Sequence, residues 1–244
     1  MGRLISGLLD NDSLFGKVMY KALVIIGTSL LFALFSLPFI TAGPALAALY
    51  YVMLELFHRS GTVRIFKDFW RGFRMNLKQG LLSAVLFALC AGILAADIRF
   101  CAGQGGILGL FRYACFALLT VLVITAVHLM PVMAAFSDTL PHLVRNALFF
   151  AFRHPLRMIA VTALHVIPVL VTVLDSYMRP LYGFLWVTFL PGAIAMASSR
   201  MLIGDFEVFL PGQKDPAEDT DQETSRQEKS ERQILREMKK LDRS

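Results

Sequence analysis

The chain of 244 residues is 56% hydrophobic and only 17% charged, a balance far from that of a soluble globular domain. Its net charge of +6 comes mainly from basic residues at the ends of long apolar runs. This placement favours anionic lipid headgroups as the partner, and no motif that reads nucleic acid accompanies it. The three cysteines have no CxxC spacing, so neither a disulfide framework nor a zinc site is expected.

The long uncharged runs predict an all-α fold, a polytopic membrane helix bundle of about six transmembrane helices with interfacial amphipathic helices. A short cytoplasmic lead at residues 1–17 precedes the bundle at 18–205, and a charged tail at 206–244 follows it. The composition of the tail cannot bury a core, so we expect it to be largely disordered and cytoplasmic. The expected spans are 18–40, 44–58, 80–97, 107–136, 156–174 and 181–203.

A sharp break separates the first two apolar runs. Pro38, Gly43 and Pro44 interrupt the hydrophobic sequence there, and each disfavours a continuous helix or permits a tight turn. Thr41 is placed to cap the second helix, and Pro44 suits its first turn. We therefore expect a tight hairpin between two membrane helices.

The second run, 44–58, is the shortest of the expected spans. Its uncharged part is about 11–14 residues, whereas a full crossing needs about 20. It is either a short crossing or a re-entrant segment. The N-terminus and the segment 58–78 are both basic, so the positive-inside rule places both in the cytoplasm and requires an even number of crossings between them. This predicts a crossing, with both termini of the protein in the cytoplasm.

The basic segment 58–79 has a helical pattern of aromatic residues. They recur at the spacing i, i+3, i+4 and i+7, which places them on one face: Phe66, Phe69, Trp70 and Phe73. Charged residues fill the remaining circumference: Arg64, Lys67, Asp68, Arg71 and Arg74. This pattern is typical of a helix lying in the headgroup layer, and also of an amphipathic helix packed on its neighbours.

An ionisable residue inside a membrane is costly and is therefore a candidate functional residue. His165 lies near the middle of the fifth span, where it could bind a substrate, relay a proton, or make a purely structural hydrogen bond. His128 has the same alternatives. The sequence contains no HExxH, GxSxG, P-loop or dinucleotide-binding motif, so we expect no enzyme, no cofactor and no metal site.

Two stretches carry a resemblance to a known family, Leu37–Ala45 running into Ala48–Tyr51, and Asp68–Phe73 followed by Asn76–Gln79. On these residues the chain resembles, over about 10–205, the YesL-like family of bacterial membrane proteins, a domain of unknown function (DUF624). The resemblance implies a multi-pass protein of the bacterial cytoplasmic membrane, often encoded near carbohydrate uptake and breakdown functions. It defines no catalytic residues. The candidate functional or structural positions are Pro38, Thr41, Gly43, Pro44, Tyr50, Tyr51, Asp68, Phe69, Trp70, Phe73, Asn76 and His165.

Together these features predict a non-enzymatic integral membrane protein that assists carbohydrate uptake by contacting a sugar transporter complex through its cytoplasmic loops and tail. The alternative is a small transporter or channel with its path near His165 and the Pro38–Pro44 hairpin. An intramembrane enzyme is the least favoured reading because its motifs are missing. The sequence indicates neither a substrate nor an oligomeric state.

Overall fold

The computed structural model of the protein describes residues 14–58, 63–175 and 177–207, and every regular element in them is helical. This confirms the all-α fold class. The eight α-helices, α1 to α8 in chain order, are Leu14–Phe35, Ala42–His58, Ile65–Ala102, Gly106–Ala135, Leu140–Arg153, Pro155–Leu174, Arg179–Thr188 and Leu190–Glu207. The bundle described below belongs to the unit 1–205, and the predicted tail at 206–244 lies outside the described residues except for its first two.

Five helical segments among the described residues are long and apolar enough to cross a membrane, and a sixth results if α7 and α8 are counted as one bent span. The polytopic membrane bundle is therefore confirmed. The expected sixth span, 181–203, is broken into two helices that meet at an angle of 56°. Pro191, the second residue of α8, has no N–H to donate, and in a continuous helix its ring would crowd the carbonyl of Val187, which explains the break.

The first hairpin has a longer connection than the sequence predicts, because six residues separate α1 from α2 and the expected spans leave only three. α1 ends at Phe35, five residues before the expected end of the span at residue 40, and a 3₁₀ turn over Phe39–Thr41 leads into α2. The Thr41 hydroxyl donates a hydrogen bond of 2.6 Å to the carbonyl oxygen of Phe35. The expectation that Thr41 caps the second helix is therefore wrong, because its side chain satisfies a carbonyl at the end of α1 instead. Pro44 lies in the first turn of α2, as predicted.

α2 is the central helix of the bundle. Twelve of its 17 residues are buried, from Gly43 to Leu56, since the helix is apolar around its whole circumference. α2 is about 26 Å long, and the 3₁₀ turn extends it to roughly the 30 Å of a hydrocarbon core. The other spans instead expose large apolar side chains, such as Leu89, Ile93 and Leu170, which is the arrangement expected for lipid-facing helices.

α3 joins two segments that the sequence predicts as separate. It runs without interruption for 38 residues, about 57 Å, so the expected interfacial helix at 64–74 and the expected span at 80–97 are one element. The change in composition at Gly80 marks the point where the helix becomes apolar, and it does not mark a helix end. The first half of α3 therefore extends beyond the length that a membrane core can cover.

The aromatic face of α3 is divided between the protein and its surroundings. Phe69 and Phe73 are buried, and their rings lie 5.6 and 5.1 Å from the ring of Phe35 on α1. Phe66 and Trp70 remain exposed, at 64% and 42%. The helix is thus packed on its neighbours along one side, and the reading in which all four rings lie in the headgroup layer is wrong.

α5 is an amphipathic helix that lies between the expected spans 107–136 and 156–174, where the sequence predicts no specific helix. Leu143, Ala147, Phe150 and Ala151 form its buried face at the spacing i, i+4, i+7 and i+8. Thr139 and Pro141 precede and begin the helix, which is a helix-start signal that was missed. The ring of Phe150 stacks on that of Phe136 at 5.8 Å, so α5 folds back on the end of α4.

α2 and α3 approach each other closely enough for their backbones to touch. A Cβ atom added at Gly80 would lie 2.7 Å from the backbone nitrogen of Pro44, and one added at Gly43 would collide with the carbonyl oxygen of Gly80. About two turns closer to the N-terminus of α3, a Cβ atom at Gly72 would lie 2.8 Å from the Cβ of Tyr51. Glycine is required at these positions because the two backbones touch, as in other membrane helix pairs packed through small residues.

We expect Gly80→Ala to destabilise the protein by about 1–3 kcal/mol, because the added methyl group forces α2 and α3 apart. Gly92→Ala in the same helix is the matched control, since a Cβ atom there meets nothing within 4 Å. Thermal unfolding of both variants in detergent is the measurement. An unfolding temperature for Gly80→Ala equal to that for Gly92→Ala would contradict the close crossing.

The turn between α6 and α7 is organised by Asp175. Its carboxylate accepts a hydrogen bond of 2.8 Å from the Tyr182 hydroxyl and one of 3.0 Å from the Tyr177 backbone N–H. These two donors hold the pKa of Asp175 below its ordinary value. A lowered pKa in the folded state means that the carboxylate stabilises the turn at neutral pH and that this contribution is lost as the pH falls through the lowered pKa.

We therefore expect wild-type stability to decline below about pH 4, the ordinary value for aspartate, and Asp175→Asn to show a smaller part of that decline. Unfolding temperatures measured between neutral and acidic pH provide the test. Asp97→Asn, which changes an exposed carboxylate of α3, is the matched control and should keep the wild-type pH profile. Identical profiles for all three proteins would refute this role of Asp175.

Candidate functional site

Tyr50 and His165 meet in the interior of the bundle, although 115 residues separate them. The Tyr50 hydroxyl lies 2.6 Å from Nε2 of His165, and the two rings are 6.3 Å apart and nearly parallel, at 20°. Tyr50 is completely buried on α2, while His165 is held by α6. Two candidates chosen for different reasons, one from the family motif and one from its depth in a span, thus form a single contact.

The backbone fixes the direction of this hydrogen bond. Nδ1 of His165 lies 2.8 Å from the carbonyl oxygen of Val161, so Nδ1 must carry the proton and donate it. In a neutral imidazole the other nitrogen is then an acceptor, and the Tyr50 hydroxyl donates to it. The neutral form is favoured because an imidazolium at this depth would have no counter-ion among the contacts described for it.

His128 on α4 repeats the backbone arrangement but lacks the second partner. Its Nδ1 lies 2.9 Å from the carbonyl oxygen of Ile124, which leaves Nε2 as an acceptor. The side chain is 1% exposed, and within the described residues Nε2 has no hydrogen-bond partner. The hydroxyls of Thr162, Ser198 and Ser199 are also buried without a partner there, and that of Ser198 lies near the Tyr50 phenol.

This buried polar cluster, defined by Tyr50, His128, His165 and Ser198, draws on four helices, and His128 belongs to it through its electrostatic interaction with His165. Each unsatisfied polar group in it costs about 1–3 kcal/mol, so the cluster favours a small molecule that both donates and accepts hydrogen bonds, such as water. A chain of such groups can also hold or pass a proton. Among the described residues, no three His, Cys, Asp or Glu side chains gather in a way that could hold a metal ion.

Most of the other motif candidates do not reach this cluster. They hold the first three helices together. Pro38 precedes the 3₁₀ turn, and Gly43 and Pro44 contact Gly80. Tyr51 contacts Gly72, and the ring of Phe35 on α1 is surrounded by three aromatic rings of α3: Phe69, Trp70 and Phe73.

Two polar motif residues stabilise the backbone of α3. Asp68 is buried, and its carboxylate accepts a hydrogen bond of 2.8 Å from the backbone N–H of Arg64 at the start of the helix. Asn76 is buried as well, and its amide nitrogen donates to the carbonyl oxygen of Gly72 at 3.0 Å. Asp68 is therefore not on the solvated circumference where its position in the pattern suggested, since it faces the bundle.

The serine of the cluster, Ser198, and its neighbour Ser199 were not among the predicted site residues. Ser198 and Ser199 lie in a stretch of small residues, and both are completely buried. Small hydroxyl residues at helix contacts are common in membrane bundles, so the pair was an available signal for a helix interface in α8. Its proximity to Tyr50 could not be read from the sequence, because it depends on how α2 and α8 are arranged.

An arrangement with apolar side chains outward and a small polar cluster inward defines a polytopic α-helical membrane protein. Within that class, residues 25–98 match the model of a family described as "Protein of unknown function, DUF624". The match runs from within α1 to near the end of α3, and it contains both stretches on which the resemblance was based. The similarity to this family is therefore confirmed over residues 25–98. No curated protein and no solved structure matches the chain.

The matched segment coincides with the close crossing of α2 and α3, whereas His128, His165 and Ser198 lie outside it. The family model therefore covers the crossing of α2 and α3 and also Tyr50. The partners of Tyr50 in the buried polar cluster come from the remainder of this chain.

We expect Tyr50→Phe to lower stability by about 1 kcal/mol, because it removes one buried hydrogen bond and leaves Nε2 of His165 without a donor. Tyr113→Phe is the matched control, since that hydroxyl is exposed and bonds only to the neighbouring Arg112. Nitrogen NMR of labelled histidine should show a shift of the His165 Nε2 signal in Tyr50→Phe alone. An unchanged His165 signal would rule out the contact.

Proposed function

We propose that the protein is a non-enzymatic accessory to carbohydrate uptake in the bacterial cytoplasmic membrane, and that it contacts a sugar transporter complex on the cytoplasmic side. The observation that carries this proposal is the position of α2. A helix buried around its whole circumference occupies the centre of the bundle, where a transporter would need a path for its substrate.

The polar residues of the interior support the same view. Tyr50 and His128 are almost fully buried, and Ser198 is fully buried as well. A binding site for transport at the midplane is usually formed by broken helices whose backbone groups face a cavity. Three of the four helices that contribute to this cluster, α2, α4 and α6, are continuous there, and only α8 belongs to the bent pair among the described residues.

The exposed side of the first half of α3 is suited to a protein contact. Phe66 and Trp70 are exposed beside Arg71 and Arg74, which are exposed as well. Aromatic residues and arginine are enriched in protein–protein interfaces and at their hot spots. The positive-inside rule places this segment in the cytoplasm, where it would meet the cytoplasmic parts of a transporter.

Carbohydrate uptake enters the proposal through the family resemblance. Proteins of the YesL-like kind are often encoded near carbohydrate uptake and breakdown functions, and the family match covers the segment that carries Phe66 and Trp70. The absence of a motif for ATP hydrolysis or for covalent catalysis in the sequence supports an accessory role over that of a pump or an enzyme.

A small transporter or channel is the second candidate function, and one observation favours it. His128 interacts electrostatically with His165, and its Nε2, which has no partner among the described residues, could hold a proton or a small solute. Flux of a sugar or an ion through proteoliposomes, abolished by His165→Ala, would establish this second function in place of the first.

Co-purification of the full chain from native membranes tests the accessory role. We expect transport components to be recovered with the wild type and their affinity to fall about thirtyfold or more with Phe66→Ala/Trp70→Ala, since each lost aromatic anchor costs about 1 kcal/mol or more. Leu89→Ala/Ile93→Ala is the matched control: it also removes two exposed apolar side chains, four residues apart, from the same helix. Wild-type protein that consistently lacks transport components, or equal recovery with both double variants, would refute the proposed contact.

A further inference from the structure

A pocket with a cavity volume of about 540 Å³ opens where the middle of α3 meets the linker between α4 and α5. Its lining residues are mainly polar, and none belongs to the buried polar cluster: Met75, Asn76, Gln79, Phe136, Ser137, Asp138 and Thr139. Its size falls within the range of about 300–1,000 Å³ that is typical of small-molecule sites. Asn76 and Gln79 lie within the residues that the family model matches.

Hydrogen bonds hold the walls of the pocket in place. The amide nitrogen of Gln79 donates to the backbone carbonyl of Asp138 at 2.7 Å, which ties α3 to the linker. The amide nitrogen of Asn76 donates to the backbone carbonyl of Gly72. One carboxylate oxygen of Asp138 accepts from the Thr139 backbone N–H at 2.6 Å and from the His142 ring at 3.2 Å.

The groups that these bonds leave without a partner are hydrogen-bond acceptors. Among the described residues, the amide oxygens of Asn76 and Gln79 and the second carboxylate oxygen of Asp138 have no hydrogen-bond partner. Asn76 is more than nine-tenths buried, which restricts the orientation of its side chain. The hydroxyls of Ser137 and Thr139 add groups that both donate and accept.

This donor and acceptor pattern selects among ligands. Three free acceptors favour a molecule with several donors, and the Asp138 carboxylate disfavours an anion such as a phosphate or a sugar acid. A metal ion is disfavoured because a single carboxylate is present and no set of three charged or imidazole ligands forms in the described part of the chain. A neutral molecule with several hydroxyl groups satisfies the pattern.

Phe136 provides an aromatic surface in the wall of the pocket. Its ring stacks on Phe150 at 5.8 Å and 17°, and this contact fixes its orientation. A sugar ring has one face of C–H groups and a rim of hydroxyls, so an aromatic ring beside several fixed acceptors matches both parts of it.

We infer that this pocket binds a neutral mono- or disaccharide, whose hydroxyls donate to Asn76, Gln79 and Asp138 and whose ring lies against Phe136. The inference deepens the proposed function by giving the accessory protein a ligand of its own, and it rests on that function only for its biological context. The site is contained in this chain, so it can be tested without any partner.

The test is saturation-transfer NMR on the full chain in nanodiscs, with glucose, galactose and maltose as neutral probes and glucuronate as the anionic probe. At least one neutral sugar should bind, and glucuronate should bind much more weakly than glucose. Asp138→Asn and Thr139→Val should each weaken binding about tenfold, the effect of one lost hydrogen bond to a charged or well-placed group. Thr120→Val, which removes an exposed hydroxyl that bonds within its own helix, is the matched control and should bind as the wild type does.

Thermal unfolding of each variant shows whether it is folded before its binding is compared. Absence of binding to all three neutral sugars, or glucuronate binding as tight as glucose binding, would overturn the inference. Unchanged affinity in a folded Asp138→Asn variant would overturn it as well. If no sugar binds but transport components still co-purify, the sugar site is refuted and the proposed contact stands. If a sugar binds but no transport component co-purifies, the proposed contact is refuted and the sugar site stands.

Discussion

The backbones of α2 and α3 touch because glycine stands at the crossing on both helices. In a bilayer the lipid tails are as apolar as the side chains, so burial of apolar surface gives little drive for helices to associate. Close van der Waals packing must then supply much of the attraction, and it is strongest where no side chain separates the backbones. Gly43, Gly80 and Gly72 provide this condition at two points of the same interface.

The position of α2 follows from that crossing, and much of the site follows from the position of α2. Packing against α3 on one side and α4 on another places the helix in the centre of the bundle and turns Tyr50 towards His165 on α6. The length of α3 has a second consequence. Its first half continues beyond the apolar part, which presents Phe66 and Trp70 at the basic end and brings Gln79 to the linker before α5.

Much of the fold could be predicted from the sequence, because hydropathy reports the length of an apolar run directly. Prolines and glycines located the first hairpin for an equally local reason. The centrality of α2 could not be predicted, since hydropathy does not distinguish a helix surrounded by protein from one surrounded by lipid. The capping role of Thr41 was assigned to the wrong helix, because a hydroxyl in a short turn reaches the end of one helix as easily as the start of the next.

The candidate site was less predictable than the fold. His165 was chosen because an ionisable residue is costly in a membrane, and Tyr50 because it belongs to the family motif. That they contact each other depends on an approach of helices that are 115 residues apart, which no local pattern encodes. The continuity of α3 was missed because a change from charged to apolar residues at Gly80 was taken as a boundary, although glycine alone does not end a helix.

The central position of α2 depends most on its contact with α3, and disulfide cross-linking measures this contact directly. In a background in which the three native cysteines are replaced by serine, mild oxidation should link Tyr51→Cys to Gly72→Cys. Their Cβ atoms would lie 2.8 Å apart, so a separation of the two helices by about 1 Å brings them to the Cβ–Cβ distance of a disulfide. Tyr51→Cys paired with Gly92→Cys should remain unlinked, because position 92 lies about 30 Å further along the same helix. Efficient cross-linking of the first pair alone is the predicted result. Equal cross-linking of both pairs, or none in the first, would contradict the central position of α2.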